Sequence, residues 1–168
     1  MRNCDRLIQL IDQVLDLSKV DSDFEKLELA PISAYEFING TRADYTHDGS
    51  SMLIDDERAF TQCKNPTDEY CEIFLDFNEQ EFHLWDKTDN SAPEKLSTTT
   101  YTNARYVHSG WWSEDKKYMF VHDELDERDG GLDQTTLRVY NIEDLGNPTP
   151  AGKWEGPTGA IDHNGYTR

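Results

Sequence analysis

Tyr106-Val-His-Ser-Gly110 decides how this chain is read, because the same pattern stands at two further places, Tyr45-Thr-His-Asp-Gly49 and Ile161-Asp-His-Asn-Gly165. Each copy runs apolar residue, any residue, His, any residue, Gly, and neither of the other two histidines fits it. His47 and His108 are 61 residues apart, and His108 and His163 are 55 apart. A second pattern keeps step. Phe82-His-Leu-Trp-Asp86 leads to Asp89 and Pro93, and 55 residues later Leu137-Arg-Val-Tyr-Asn141 leads to Asp144 and Pro148. Repeats of roughly 40–50 residues or more, built from short strands, mark propellers and related arrays. The expected fold is therefore mainly β: a partial β-propeller of two four-stranded blades and the start of a third, preceded by one N-terminal α-helix.

Working outward from the motif, residues 45–105 form the first expected blade, 106–160 the second, and 161–168 the opening of a third. In the first, 51–54, 71–77, 82–86 and 95–101 read as strands from their alternation and their β-branched and aromatic content. Asp55-Asp-Glu-Arg58 reads as a polar turn between them. The second repeats the order with strands at 109–112, 117–121, 136–141 and 151–154. Trp111 and Trp112 are neighbours on a strand, which puts one ring on each face of the sheet. A propeller closes with roughly four or more blades, so the expected partners are the remaining blades of a parent propeller or other copies of the chain.

Composition narrows the function. The chain has 168 residues, a net charge of −18 and 11% aromatic residues. The aromatics argue against disorder, since they supply large buried areas. Acidity spread along the chain disfavours nucleic acid, whose phosphates call for clustered Lys and Arg, and it disfavours anionic membrane surfaces. Cation binding, or simple solubility in salty surroundings, suits it better. No apolar run approaches the roughly 18 residues of a membrane span. The acidic positions Asp5, Asp12 and Asp16 do not suit a signal peptide, so the chain as it stands reads as compatible with the cytoplasm.

Residues 1–29 read as an amphipathic helical segment. Leu7, Leu10, Val14 and Leu17 repeat at 3-4-3 spacing, a face suited to packing on another helix. Its wording, Arg6-Leu-Ile-Gln-Leu-Ile-Asp-Gln-Val-Leu-Asp-Leu-Ser-Lys-Val20 and then Lys26-Leu-Glu-Leu29, resembles the second helix of the dimerisation domain of sensor histidine kinases. No acceptor His and no phosphate-cradling loop accompany it. Residues 30–44, with Pro31 and Gly40, form a linker and a first strand-like stretch.

Three longer stretches carry a second resemblance: Thr99-Thr-Tyr-Thr-Asn-Ala-Arg-Tyr-Val-His-Ser-Gly-Trp111, Asp123-Glu-Leu-Asp-Glu127 and Gly156-Pro-Thr-Gly-Ala-Ile-Asp-His-Asn164. With Tyr45-Thr-His-Asp48 and Asn78-Glu79, they are similar to the choice-of-anchor B family, over roughly residues 42–168. These are secreted or surface-attached bacterial proteins made of LVIVD-type β-propeller repeats. The LVIVD core stands here as Phe82-His-Leu-Trp-Asp86 and Leu137-Arg-Val-Tyr-Asn141. The resemblance implies an extracytoplasmic propeller (secreted, periplasmic or surface) with no established enzymatic activity.

Several groups of residues can carry chemistry. The innermost strand of each propeller blade lines the central channel, so His47, His108 and His163 are expected to face a common space. There they can bind a transition metal or an anionic ligand, or they can serve as repeated structural hydrogen bonds, with Gly allowing close approach. The acidic loop Asp123, Glu124, Asp126, Glu127 and Asp129, followed by Gly130-Gly131, offers oxygen ligands for Ca²⁺ without the EF-hand order; the alternative is a solvated loop. Cys63 and Cys71 bracket a polar loop and can form a disulfide in an oxidising compartment, or stand as two small buried residues. No catalytic residue is assigned. The first functional reading is a non-enzymatic, surface-type binding scaffold that can draw on Ca²⁺. The alternatives are a metal-dependent enzyme using the channel histidines, and a sensory module of a two-component kinase.

Overall fold

The computed structural model describes residues 46–166. The expected helix with Leu7, Leu10, Val14 and Leu17, and the linker at 30–44, lie outside them. Within them the chain is mainly β, with two four-stranded antiparallel sheets of consecutive strands. The first holds β1 (Asp48–Ile54), β2 (Cys71–Phe77), β3 (Phe82–Asp86) and β4 (Glu94–Thr99). The second holds β5 (Val107–Trp112), β6 (Tyr118–Asp123), β7 (Thr136–Asn141) and β8 (Thr149–Glu155). No helix among the described residues is long and apolar enough to cross a membrane.

Each strand expected within the described residues is present, with ends that follow the hydrogen-bonded ladder and not the apolar pattern. β1 starts at Asp48 because Asp48 pairs with Phe77, and the His47 N–H donates to the Phe77 carbonyl at 2.7 Å. Asp55–Arg58, expected as a polar turn, instead leads into a short helix, α1 (Glu57–Thr61). Asp56 caps it by accepting from the Arg58 N–H, and buried Ala59 holds it down. The Arg58 guanidinium donates to the Lys116 and Ile142 carbonyls, tying α1 to the second sheet. The Gln62 side chain adds a bond to the Glu143 carbonyl and accepts one from the Leu145 N–H.

Two local devices recur 55 residues apart. Asp89 accepts from the Ser91 N–H and Asp144 accepts from the Gly146 N–H, so each Asp-x-x-x-Pro forms an Asx turn. Pro93 and Pro148 then lead into β4 and β8, with φ preset and no N–H to place. The β3–β4 ladder bulges after Leu84, leaving Leu96 extra, and the β7–β8 ladder bulges after Val139, leaving Ala151 extra.

The core lies between the sheets, where Ile54, Ile73, Leu75, Phe77, Phe82 and Leu84 meet Val107, Met119, Val121, Tyr140, Ile142 and Leu145. Glu79, in the left-handed region at φ 77°, turns its backbone to form a two-bond bridge with Val107. Cys63 and Cys71 are joined by a disulfide that holds the α1–β2 loop to the start of β2. Trp111 and Trp112, expected on opposite faces, instead stack with centroids 4.2 Å apart. Trp112 is the last residue of β5, where the pleat gives way to the turn at Ser113, and Tyr166 packs edge-on against Trp111.

Candidate functional site

The glycine of each repeated motif stands where a side chain has no room. A Cβ on Gly110 would come within 2.5 Å of the Phe77 ring and of the Phe120 carbonyl oxygen. On Gly165 it would come within 2.8 Å of the His122 ring, and on Gly49 within 2.3 Å of Phe74. Phe77 pairs with Asp48, and His122 pairs with Ser109, so the two rings hold matching places beside the residue that follows the motif histidine. Residues 48–50, 109–111 and 164–166, the same three positions of each copy, line one small cleft of about 90 Å³. The Ser50 hydroxyl donates to the Gly110 carbonyl at 3.1 Å, and the Ser109 hydroxyl donates to the His163 carbonyl at 2.7 Å. The Asn164 amide reaches the Asp48 carboxylate at 3.3 Å.

This packing brings the three histidines into a row. The His47 and His108 ring centroids are 4.5 Å apart, and those of His108 and His163 are 4.0 Å apart. Tyr106 meets His47 through its hydroxyl, 3.1 Å from Nδ1. His163 Nδ1 touches the Asn164 side-chain oxygen. His108 is buried, and its Nδ1 has no hydrogen-bond partner among the described residues. Its Nε2 lies 3.7 Å from Glu124 Oε2, beyond hydrogen-bonding distance. Burial, with His163 and His47 beside it, lowers the His108 pKa, which keeps the ring neutral near pH 7 and free to donate a lone pair. The ligand atoms of His108, Glu124 and His163 lie within 4.8 Å of one another; His47 packs edge-on against His108 without being one of the three.

The acidic loop does not act as one unit. Asp123, fully buried at the end of β6, accepts from the Tyr101 hydroxyl and from the Arg105 and Tyr106 N–H groups. Glu124 turns to the histidines. Asp129 pairs with Arg128 at the surface. Asp126 and Glu127, at the start of the short helix α2 (Asp126–Asp129), converge instead with Asp162 from the third motif. Burial pushes Asp126 up to about 6, against the pull of Arg138, and the Glu127 carboxyl adds to the rise. Burial also raises Asp162, although His122 opposes it.

Reading the sequence left Asp162 and Arg138 out of any site and singled out Tyr106 only as part of the motif. Asp162 stands next to a motif histidine, and that adjacency was the one available signal. No family model matches the chain, and neither the curated proteins nor the solved structures searched contain a match.

Proposed function

We propose that this chain is part of a β-propeller, with the two sheets as successive blades, and that it serves as a non-enzymatic binding scaffold of the secreted or surface type. The observation that carries the reading is the repeated contact of a motif glycine with a ring of the preceding sheet, Gly110 on Phe77 and Gly165 on His122. A constant inter-blade contact is what an array of equivalent units uses to propagate. The recurring Asx turns and bulges at 55-residue spacing support the same reading. The second sheet leaves Trp111, Phe120 and Leu137 along a shallow groove with Tyr166, and a further blade of the same repeat fits there. Further blades or other copies are then the natural partners. The Cys63–Cys71 disulfide suits the oxidising compartment that the family resemblance implies.

The ligand-facing part of such a scaffold is the motif end, where the histidines meet and the cleft opens. A second reading, a metal-dependent enzyme, is favoured by one observation: a buried His108, grouped with Glu124 and His163, whose Nδ1 has no hydrogen-bond partner among the described residues. Metal content of the purified chain, with thermal melting in Zn²⁺ beside a His108→Ala variant, separates the two. Under the scaffold reading no transition metal co-purifies, and Zn²⁺ shifts both proteins alike. Stoichiometric metal that the variant loses would replace it with the enzyme reading. Sedimentation supplies the other test: self-association through the open face should vanish in Leu137→Glu. A chain that is monomeric at every concentration counts against copies as partners.

A further inference from the structure

We infer that Asp126, Glu127 and Asp162 form a binding site for a divalent, oxygen-seeking cation, Ca²⁺ by the number of carboxylates, that clamps the third motif onto the second sheet. The three carboxylates are arranged alike. Each commits one oxygen to a protein donor: Asp126 Oδ2 to Arg138, Glu127 Oε1 to the Thr136 N–H at 2.8 Å, and Asp162 Oδ2 to His122 Nδ1 at 3.1 Å. Each leaves its other oxygen buried with no hydrogen-bond partner among the described residues: Asp126 Oδ1, Glu127 Oε2 and Asp162 Oδ1. Asp126 is 1% exposed and Asp162 is 8% exposed, so water does not readily serve these atoms.

A buried carboxylate oxygen without a donor is costly, and three of them side by side repel one another. One carboxylate oxygen from each of the three residues lies within 4.8 Å of the other two, a span that Ca²⁺–oxygen distances of about 2.3–2.6 Å can bridge. A carboxylate held through one oxygen by a protein donor, with its second oxygen left over, is how metal ligands are oriented by outer-shell donors. Charge agrees. Three carboxylates and the Arg138 guanidinium leave two negative charges for a doubly charged ion to balance. The donors are all oxygens, which favours a hard cation over Zn²⁺. Mg²⁺ usually keeps most of its water and takes only about one or two carboxylates. Because Asp126 and Asp162 are 36 residues apart in the chain, the ion would join α2 to the segment from Ile161 to Tyr166. The clamp depends only on the residues that face it, not on what encloses the rest of the array.

The test is calorimetric titration of Ca²⁺ into the chelator-stripped full chain at neutral pH and physiological ionic strength, with parallel melts. One saturable site and a raised melting point are expected, with Mg²⁺ weaker. Asp162→Asn and Glu127→Gln should each weaken binding roughly tenfold or more, while Glu114→Gln, at an exposed acidic position, should leave it unchanged. Glu127→Gln keeps the acceptor for the Thr136 N–H, so it reports on the ion even if Asp162→Asn does not fold. Absence of a saturable site in the parent chain, or binding that survives Glu127→Gln undiminished, overturns the assignment.

Discussion

Gly110 of β5 lies flush against the ring of Phe77 at the end of β2, with 2.5 Å between the position of a Cβ and Phe77 Cζ. The Phe120 carbonyl oxygen stands at the same 2.5 Å and belongs to a paired strand, and the Phe77 ring is buried in the core. Gly110→Ala should therefore force the sheets apart and cost about 1–3 kcal/mol, the usual range for overpacking. Chemical denaturation would show a lower midpoint with an unchanged slope. Gly131→Ala, where no atom lies within 4 Å of the new Cβ but φ is +77°, should cost less, from backbone strain alone.

Asp123 holds the entry to β5. Removing its carboxylate in Asp123→Ala leaves the Arg105 and Tyr106 amides and the Tyr101 hydroxyl without their acceptor. A loss of about 1–3 kcal/mol is expected for an unpaired buried group. Because Tyr106 precedes the motif histidine and touches His47, hydrogen exchange should rise at residues 106–108 before it rises in β2. Uniform exchange across both sheets would show that Asp123 does not hold this segment.

His83 supplies a pH signature. It is buried between Asp76, 3.1 Å from Nδ1, and Glu81, 2.9 Å from Nε2. Burial lowers its pKa, but the two carboxylates outweigh that and raise it above the ordinary 6.5. The folded state thus holds the proton more tightly than the unfolded one. The stabilisation is complete below the unfolded value and is lost as pH rises through the folded value. Melting of the parent chain minus that of His83→Gln should decline across that window. A flat difference would mean that His83 stays neutral.

The Cys63–Cys71 bridge closes a loop with a sequence separation of 8. Loop-closure entropy for so short a loop is worth about 2–3 kcal/mol. Cys63→Ser should lower the melting point accordingly, and a reducing agent should lower that of the parent chain but not of the variant.

Strands and turns were legible because their causes are local. The alternation of Cys71–Phe77 sets which side chains face the core, and the Asx turns at Asp89 and Asp144 close on residues two positions away. The repeated motif also signalled that its histidines would meet. Less legible was the fate of the acidic loop, a run of similar carboxylates that the fold sends to four different places, Asp129 pairing with Arg128 at the surface. Asp123 is taken by backbone N–H groups, Glu124 by the histidines, and Asp126 and Glu127 by Asp162. Hydrogen-bond partners and burial at that loop depend on residues about 20 positions before it and nearly 40 after it, Tyr101 and Asp162 among them. By itself the sequence determined a mainly β chain, its strand order and its repeated turns, because backbone pairing and side-chain alternation follow from neighbours. Only the tertiary structure decided which carboxylates share a buried space, because electrostatics at a site are set by what distant segments bring to it.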